Sequence, residues 1–400
     1  MLRLAILLVL GLLPWLTLPP AARAGAGFAP ATFYGLPAPP LRGPEQATGL
    51  VIWNHGFGAH AYIEQAPPLA WYFAQAGWDV YRQYRSLKSD SGFQAAAAVE
   101  QAVEQARALG YRRIVLMGFS MGAYAAVDVA QRRPVTGVIA LAPATVAHHS
   151  FGWELNDHAM RPMWRQLGAL PQRLVAAYFP QDIFYETEMP AVRGPWLRQQ
   201  LASTAAAHLV IDRPQLPGIV GHSAGLGWSF ARRYGPCIRH LIDSTAADSR
   251  TPDCTGLRDD RAFTTAAISA QAKQLLRPYQ GRWRGQPGKH WGFSMEIGLD
   301  DLGVPLMTLT LPEQGTLDLP LIATADGWRG EAEFGLLDLR RTGDTLAARI
   351  TRPGDSASDR SFVFQRDAPA TPHLAGPQLE LSDQLLSSTG LKSSATPLMQ

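Results

Sequence analysis

The stretch from Arg112 to Ala126 constrains the fold of this chain more than any other. It runs from the apolar residues Ile114-Val115-Leu116-Met117 through Gly118-Phe119-Ser120-Met121-Gly122 into an Ala-rich segment. That order predicts a short buried strand, a tight turn and a helix. Gly118 and Gly122 have no Cβ, so strand and helix can approach closely around a strained residue 120. A serine alcohol is a poor nucleophile until a base can reach it, and a sharp strand-to-helix turn exposes its oxygen for that purpose. The helix that follows points its first amides at any anion formed beside the serine.

The Gly-x-Ser-x-Gly pattern alone is weak, because it recurs at Gly221-His222-Ser223-Ala224-Gly225. Context separates the copies. Ahead of the first, Phe93 to Leu109 is Ala-rich with Val99, Val103 and Ala106 at helical spacing, and Gly110 stops it. The second follows Pro214, Pro217 and Gly218, with only Ile219 and Val220 before the turn, too short a run for a buried strand. Ser120 is therefore the candidate nucleophile.

Helix, strand, turn and helix in this order resemble an α/β-hydrolase, over residues 28–280. The resemblance implies a mostly parallel α/β sheet with helices on both faces, and a triad in the chain order Ser, acid, His. Upstream, Gly49 to Asn54 reads as an apolar strand that ends in His55-Gly56-Phe57-Gly58, similar to the His-Gly turn such enzymes place beside the nucleophile. By that resemblance the backbone amides of Phe57 and Met121 form an oxyanion hole. Leu174 to Phe179 is another apolar strand, with Asp182 just past its end, where the family keeps its acid. A turn residue after Pro180 is the competing reading of Asp182, and Asp157 is the leading substitute for the acid. His222 follows a short strand at His208 to Ile211 and a Pro- and Gly-rich loop, so the order Ser120, Asp182, His222 makes it the candidate base. Asp182 would accept the N–H of that imidazole and fix its tautomer. The neighbouring pair His148 and His149 lacks a third ligand at fixed spacing, and no metal or cofactor is expected.

Between the strand Val138 to Leu141 and the strand before Asp182 lies an insertion, about 147–170, rich in Phe151, Trp153, Met160, Met163 and Trp164. A segment leaving the carboxyl edge of an α/β sheet is placed to form a lid or pocket wall, so His55, Phe119, Trp153 and Trp164 are the candidate substrate-pocket residues. The same aromatic and Met residues would also serve a small helix that packs onto the core.

Arg3, the apolar run Leu4 to Leu18 and Ala22-Arg23-Ala24 read as a signal peptide over 1–24, cleaved on export to the periplasm or the extracellular space. Pro14, Pro19 and Pro20 make it a poor membrane span, and no membrane span is expected in the mature chain. In an oxidising compartment the only two cysteines, Cys237 and Cys254, are expected to pair, with two buried thiols as the alternative. A formal net charge of +3 with dispersed Lys and Arg gives no nucleic-acid signature.

Near Leu276 to Gly281 the texture changes from helical to strand-like. Phe293, Met295, Ile297 and Leu299 alternate with polar or small residues, and further short runs follow to Arg366, which predicts a small antiparallel barrel or sandwich over 281–366. Gly281-Arg282-Trp283 resembles the Gly-x-Trp signature of lipocalin-like barrels, which implies that Arg366 lies over the Trp283 ring. A filled barrel that packs against the first domain is favoured over a ligand carrier. Residues 367–400 are rich in Pro, Ser and Thr and are expected to form a largely disordered tail.

Together these readings predict an exported serine hydrolase that cleaves a small-molecule carboxylic ester through an acyl-enzyme. A serine peptidase or amidase of the same fold is the nearest alternative, and a catalytically silent ligand-binding scaffold is the alternative from another class.

Overall fold

The computed structural model describes residues 27–57, 65–85, 92–145, 152–168, 172–182, 184, 189–204, 206–212, 219–244, 252–285, 294–311, 315–332, 335–351 and 360–367. The expected signal peptide, the His148 and His149 pair, the first residues of the expected lid and the tail beyond Asp367 lie outside these residues.

In chain order the first half contains β1 (Phe28–Pro30), β2 (Thr32–Phe33), β3 (Leu50–Asn54), β4 (Gln65–Ala66), α1 (Pro68–Gln75), β5 (Asp79–Gln83), α2 (Gly92–Ala108), β6 (Ile114–Phe119), α3 (Met121–Ala130), β7 (Gly137–Leu141), α4 (Gly152–Gly168), β8 (Arg173–Ala177), α5 (Met189–Ala202), β9 (Ala207–Ile211) and α6 (Trp228–Asp243). Seven strands form one sheet in the order β1-β5-β3-β6-β7-β8-β9. Only β1 runs antiparallel to its neighbour; every other pairing is parallel. The strands β3, β6 and β7 are buried along their whole length, as continuous apolar runs covered on both faces must be. On one face α2, α3 and α4 pack with an apolar cluster that includes Val99, Val103, Met163 and Trp164. On the other, α1 and α6 bury Trp71, Phe73 and Ile238. This is the mostly parallel sheet with helices on both faces that the resemblance implies, and the helix expected over Phe93 to Leu109 is α2.

The described part of the segment expected as a lid packs onto the core, the competing reading of the same residues. Met160, Met163, Trp164 and Leu167 of α4 are buried in the cluster beneath the sheet's helices. The indole N–H of Trp164 donates to the Tyr178 hydroxyl at 3.1 Å. Burial of that much apolar surface against α3 and the sheet outweighs exposure over a site.

After α6 come α7 (Asp260–Thr264) and α8 (Ala270–Leu276), then β10 (Gly281–Gly285), β11 (Ser294–Leu299), β12 (Pro305–Leu311), β13 (Gly315–Thr324), β14 (Gly327–Ala332), β15 (Gly335–Thr342), β16 (Thr345–Thr351) and β17 (Arg360–Arg366). These eight strands pair with their sequence neighbours, and β10 pairs with β17, so the sheet closes into a barrel. Alternate residues such as Trp283, Met295, Met307, Leu319, Trp328 and Phe364 are buried within one apolar cluster. The Arg366 guanidinium lies 5.2 Å from the centre of the Trp283 ring, as the lipocalin-like signature implies, and the Trp283 indole donates to the Tyr279 carbonyl at 2.7 Å.

The barrel does not stand apart. The cluster that contains its interior also contains Trp71, Trp228 and Phe263 of the first half, and residues up to Arg366 form one compact unit. Cys237 of α6 and Cys254 are joined by a disulfide with Cα atoms 5.2 Å apart.

Candidate active site

Parallel strands place their following loops at one edge of the sheet, and polar residues collect there. Among the described residues, the non-glycine positions with left-handed backbone are Ser120, Ala142 and Gln181. Each lies just past the carboxyl end of β6, β7 or β8. Such conformations cost of order 1–3 kcal/mol each and persist only where surrounding packing imposes them.

Ser120 has φ 52° and ψ −122° and stands immediately before α3. Its amide donates to the Leu141 carbonyl at 2.9 Å, and its carbonyl accepts the Ala123, Tyr124 and Ala144 amides at 3.0, 3.0 and 3.2 Å. The two flanking glycines are required by close approach. A Cβ on Gly118 would fall 2.4 Å from the Gly122 backbone, and one on Gly122 would fall 2.2 Å from the Asn54 carbonyl oxygen. The turn is thereby pressed between β3 and α3, which leaves the serine little choice of position.

Asp182 and His222 come together on the same edge. Asp182 is 1% exposed, and both its carboxylate oxygens lie 2.9 Å from Nδ1 of His222. Asp182 Oδ1 also accepts the Phe184 amide at 3.0 Å. With Nδ1 facing a carboxylate, Nδ1 carries the proton and Nε2 is left with its lone pair. Nε2 is buried and has no hydrogen-bond partner among the described residues. The imidazole is held between two aromatic rings, Phe184 at 4.1 Å and Phe119 at 4.8 Å between centroids. Phe119 is the residue before Ser120, so the ring of the candidate base lies against the turn that carries the candidate nucleophile. A tie from the Gly221 amide to the Pro180 carbonyl, 2.7 Å, joins the acid and histidine loops.

Asp157, the substitute acid, is paired instead with Arg161 one helical turn on, at 2.5 Å. Ser223, in the second copy of the serine pattern, sits within a short 3-10 turn, His222–Leu226. No strand feeds it.

Of the residues expected to line a pocket, His55 faces inward, with 1% exposure. Its Nε2 accepts the Arg85 amide at 2.9 Å, which places the proton on Nδ1, where it donates to the Gly56 carbonyl at 2.6 Å. Burial, with the Arg85 charge second, holds its pKa well below the usual 6.5. His55 is therefore a neutral brace beneath the loop, and Trp164, itself buried in the core cluster, borders a small cavity with Asp157, Met160, Arg161, Tyr178 and Trp196. Phe119 does reach the site, and Trp153 lies in α4. Met121 is buried at the first turn of α3, whereas the Phe57 side chain is 53% exposed. A Cβ on Gly56 would lie 3.4 Å from Ser120 Cβ, so the loop leading into Phe57 runs beside the serine.

Two residues of this edge give no signal in the sequence. Arg85, buried just after β5, donates through Nη2 to the carbonyls of His55 at 2.6 Å and Gly56 at 3.2 Å. Asn54 donates to the Ile52 and Met117 carbonyls at 3.0 and 3.2 Å, tying the end of β3 to β6. A lone Arg after a strand and an Asn before a turn are too common to stand out. Among the described residues no group of three or more His, Cys, Asp or Glu is placed to hold a metal. No helix among them is long and apolar enough to cross a membrane.

The chain matches no protein-family model and no curated protein. Solved structures similar to part of it include Est1E from Butyrivibrio proteoclasticus, 14% identical, with a TM-score of 0.36 and 50% of this chain and 93% of that chain covered. The Pyrococcus furiosus esterase Pf2001 is also 14% identical, with a TM-score of 0.35 and 50% and 85% covered. Likenesses this low leave the fold to be read from the chain's own strand order and serine turn. By those features the chain has an α/β-hydrolase fold, with a closed eight-stranded antiparallel barrel following it.

Proposed function

We propose that this protein is an exported serine hydrolase that cleaves small-molecule carboxylic esters. The observation that carries the reading is the buried pair of Asp182 and His222 Nδ1, with Nε2 left as an acceptor beside the strained Ser120 turn. In the first step Nε2 takes the Ser120 proton while Oγ bonds to the ester carbonyl carbon, and the carbonyl π electrons move to oxygen. The amides of Phe57 and Met121 receive that oxyanion. As it collapses, the bond to the leaving alkoxide breaks and His222 returns the proton to the departing oxygen. Water then repeats the sequence on the acyl-enzyme, with His222 as base, and releases the acid. Asp182 stabilises the imidazolium at each stage and does not itself take the proton. The aromatic surroundings of His222, from Phe119 and Phe184, suit an acyl or aryl group.

Export is supported by the Cys237–Cys254 disulfide, which oxidising compartments favour. The test of the chemistry is a fluorophosphonate probe on the full mature chain. It is expected to label Ser120, and Ser120→Ala is expected to lose both label and turnover on aryl esters. An unlabelled wild type, or turnover retained in Ser120→Ala, overturns the proposal.

A further inference from the structure

The barrel's strand β13 lies against the segment that carries His222. Leu317, Leu319 and Leu321 are buried in the apolar cluster, and the alternate residues Thr316 and Asp318 are left on the strand's opposite face, towards that segment. Before His222, the Thr316 amide donates to the Val220 carbonyl at 3.0 Å. Gly315, at φ +88°, approaches so closely that a Cβ there would fall 1.9 Å from the same carbonyl oxygen. After His222, Asp318 Oδ2 accepts the Ser229 amide at 2.7 Å. That amide is one of the first-turn donors of α6, whose own N-cap residue, Gly227, supplies no side-chain cap. A Cβ on Gly227 would lie 2.2 Å from Asp318 Oδ1. Asp300, between β11 and β12, adds a tie by accepting the Trp228 indole N–H at 2.9 Å and Arg232 at 3.0 Å.

We propose that the barrel is a positioning element for the candidate base: β13 pins the backbone on either side of the His222 turn, with Asp318 and Gly315 as the residues on which this depends. The inference rests on the reading of Ser120, Asp182 and His222 as a triad, and it assigns the barrel a part in catalysis without a ligand of its own. Asp182 and the Phe119 and Phe184 rings hold the imidazole itself, and the ring's reach to Ser120 depends also on the backbone that carries it. Residue 222 sits in a short 3-10 turn, whose hydrogen bonds are poorer than those of an α-helix. The fixed reference is the barrel wall.

The experiment uses the full mature chain and the variants Asp318→Ala, Asp318→Asn and Gly315→Ala, each first checked for a wild-type melting profile. Three quantities are read: kcat and KM on an aryl ester, the rate of fluorophosphonate labelling, and the low-field imidazole N–H proton resonance, assigned by its loss in His222→Gln. Asp318→Ala and Gly315→Ala are expected to lower kcat and labelling by about tenfold to a hundredfold, with KM changed far less, because small misplacements of a catalytic group cost that much. The resonance is expected to broaden or vanish in both. Asp318→Asn keeps an oxygen for the Ser229 amide and is expected to restore most of the rate and the resonance. If Asp318→Ala does not fold, Gly315→Ala carries the test. Folded variants with wild-type kcat, labelling rate and resonance overturn the proposal. A wild type that takes no label at Ser120 defeats the hydrolase reading instead, and the resonance alone still decides whether β13 holds His222.

Discussion

The sheet and the barrel treat polar groups in opposite ways. At the carboxyl edge of the parallel sheet Asn54, His55, Arg85, Ser120, Asp182 and His222 are all buried, each at a cost in desolvation that hydrogen bonds must offset. Among the described residues the barrel's interior is Trp, Leu, Met, Ile, Phe and Ala. Its polar contributions, Asp300, Asp318 and the Thr316 amide, face outward onto the first half. One region buries polar groups at a cost in stability, and the other supplies stability and a fixed surface.

The contrast predicts unequal responses to substitution. Asp182→Asn leaves packing intact but disturbs the tautomer and charge support of His222, so kcat on an aryl ester is expected to fall by about 10⁴-fold, with little change in KM and a melting temperature near wild type. Retained kcat would remove the sheet edge from the chemistry. In the barrel, Trp283→Ala empties a fully buried site and is expected to cost about 3–5 kcal/mol in urea denaturation. Because the barrel interior and the α1/α6 face share one apolar cluster, unfolding is expected to remain a single transition. Two separated transitions would show that the barrel folds on its own.

The two regions were legible in the sequence to different depths. The Ser120 turn announced itself because the close approach of strand and helix needs glycines at fixed spacing. Asp182 and His222 could be ordered along the chain, but their meeting depends on the lengths of β8 and β9 and the loops after them. The barrel's alternation was plain, and so was the Trp283 and Arg366 contact. The partner of its outer face was not. Asp318 reads as an ordinary outward acid between Leu317 and Leu319, and nothing local says that it faces the start of α6 rather than water. The same limit applies to Trp164 and His55, since an aromatic or a histidine near a site looks alike in sequence whether it lines a pocket or packs beneath it.

Smaller effects refine the boundary between the regions. Replacing both cysteines by alanine releases the loop from Cys237 to Cys254 and is expected to cost about 3 kcal/mol by chain entropy, read as a lower urea midpoint. An unchanged midpoint would mean that the loop is held by packing alone. The smallest effect expected is in the pH profile. His55 is held neutral in the fold, with its pKa below 6.5, so the unfolded chain takes up a proton that the folded chain refuses as the pH falls below 6.5. Its contribution is present above that pH and declines towards acid. Asp318 has the opposite sign, since burial raises its pKa above 3.8 despite the opposing Ser229 bond; its contribution is greatest below pH 3.8 and declines as the pH rises. His55→Gln is therefore expected to flatten the stability profile on the acid side of 6.5, and Asp318→Asn to flatten the rise of cost above 3.8. Unchanged profiles would contradict the burial argument for both.

Whether three distant points of the chain act as one unit is tested most directly by the rate of fluorophosphonate labelling at Ser120 in wild type, Asp182→Asn, His222→Gln and the double variant. Groups that serve a single proton transfer are non-additive, so the double variant is expected to label no more slowly than His222→Gln alone, with peptide mapping placing the label on Ser120 in wild type. Full-rate labelling in His222→Gln, or independent losses that multiply in the double variant, would contradict it.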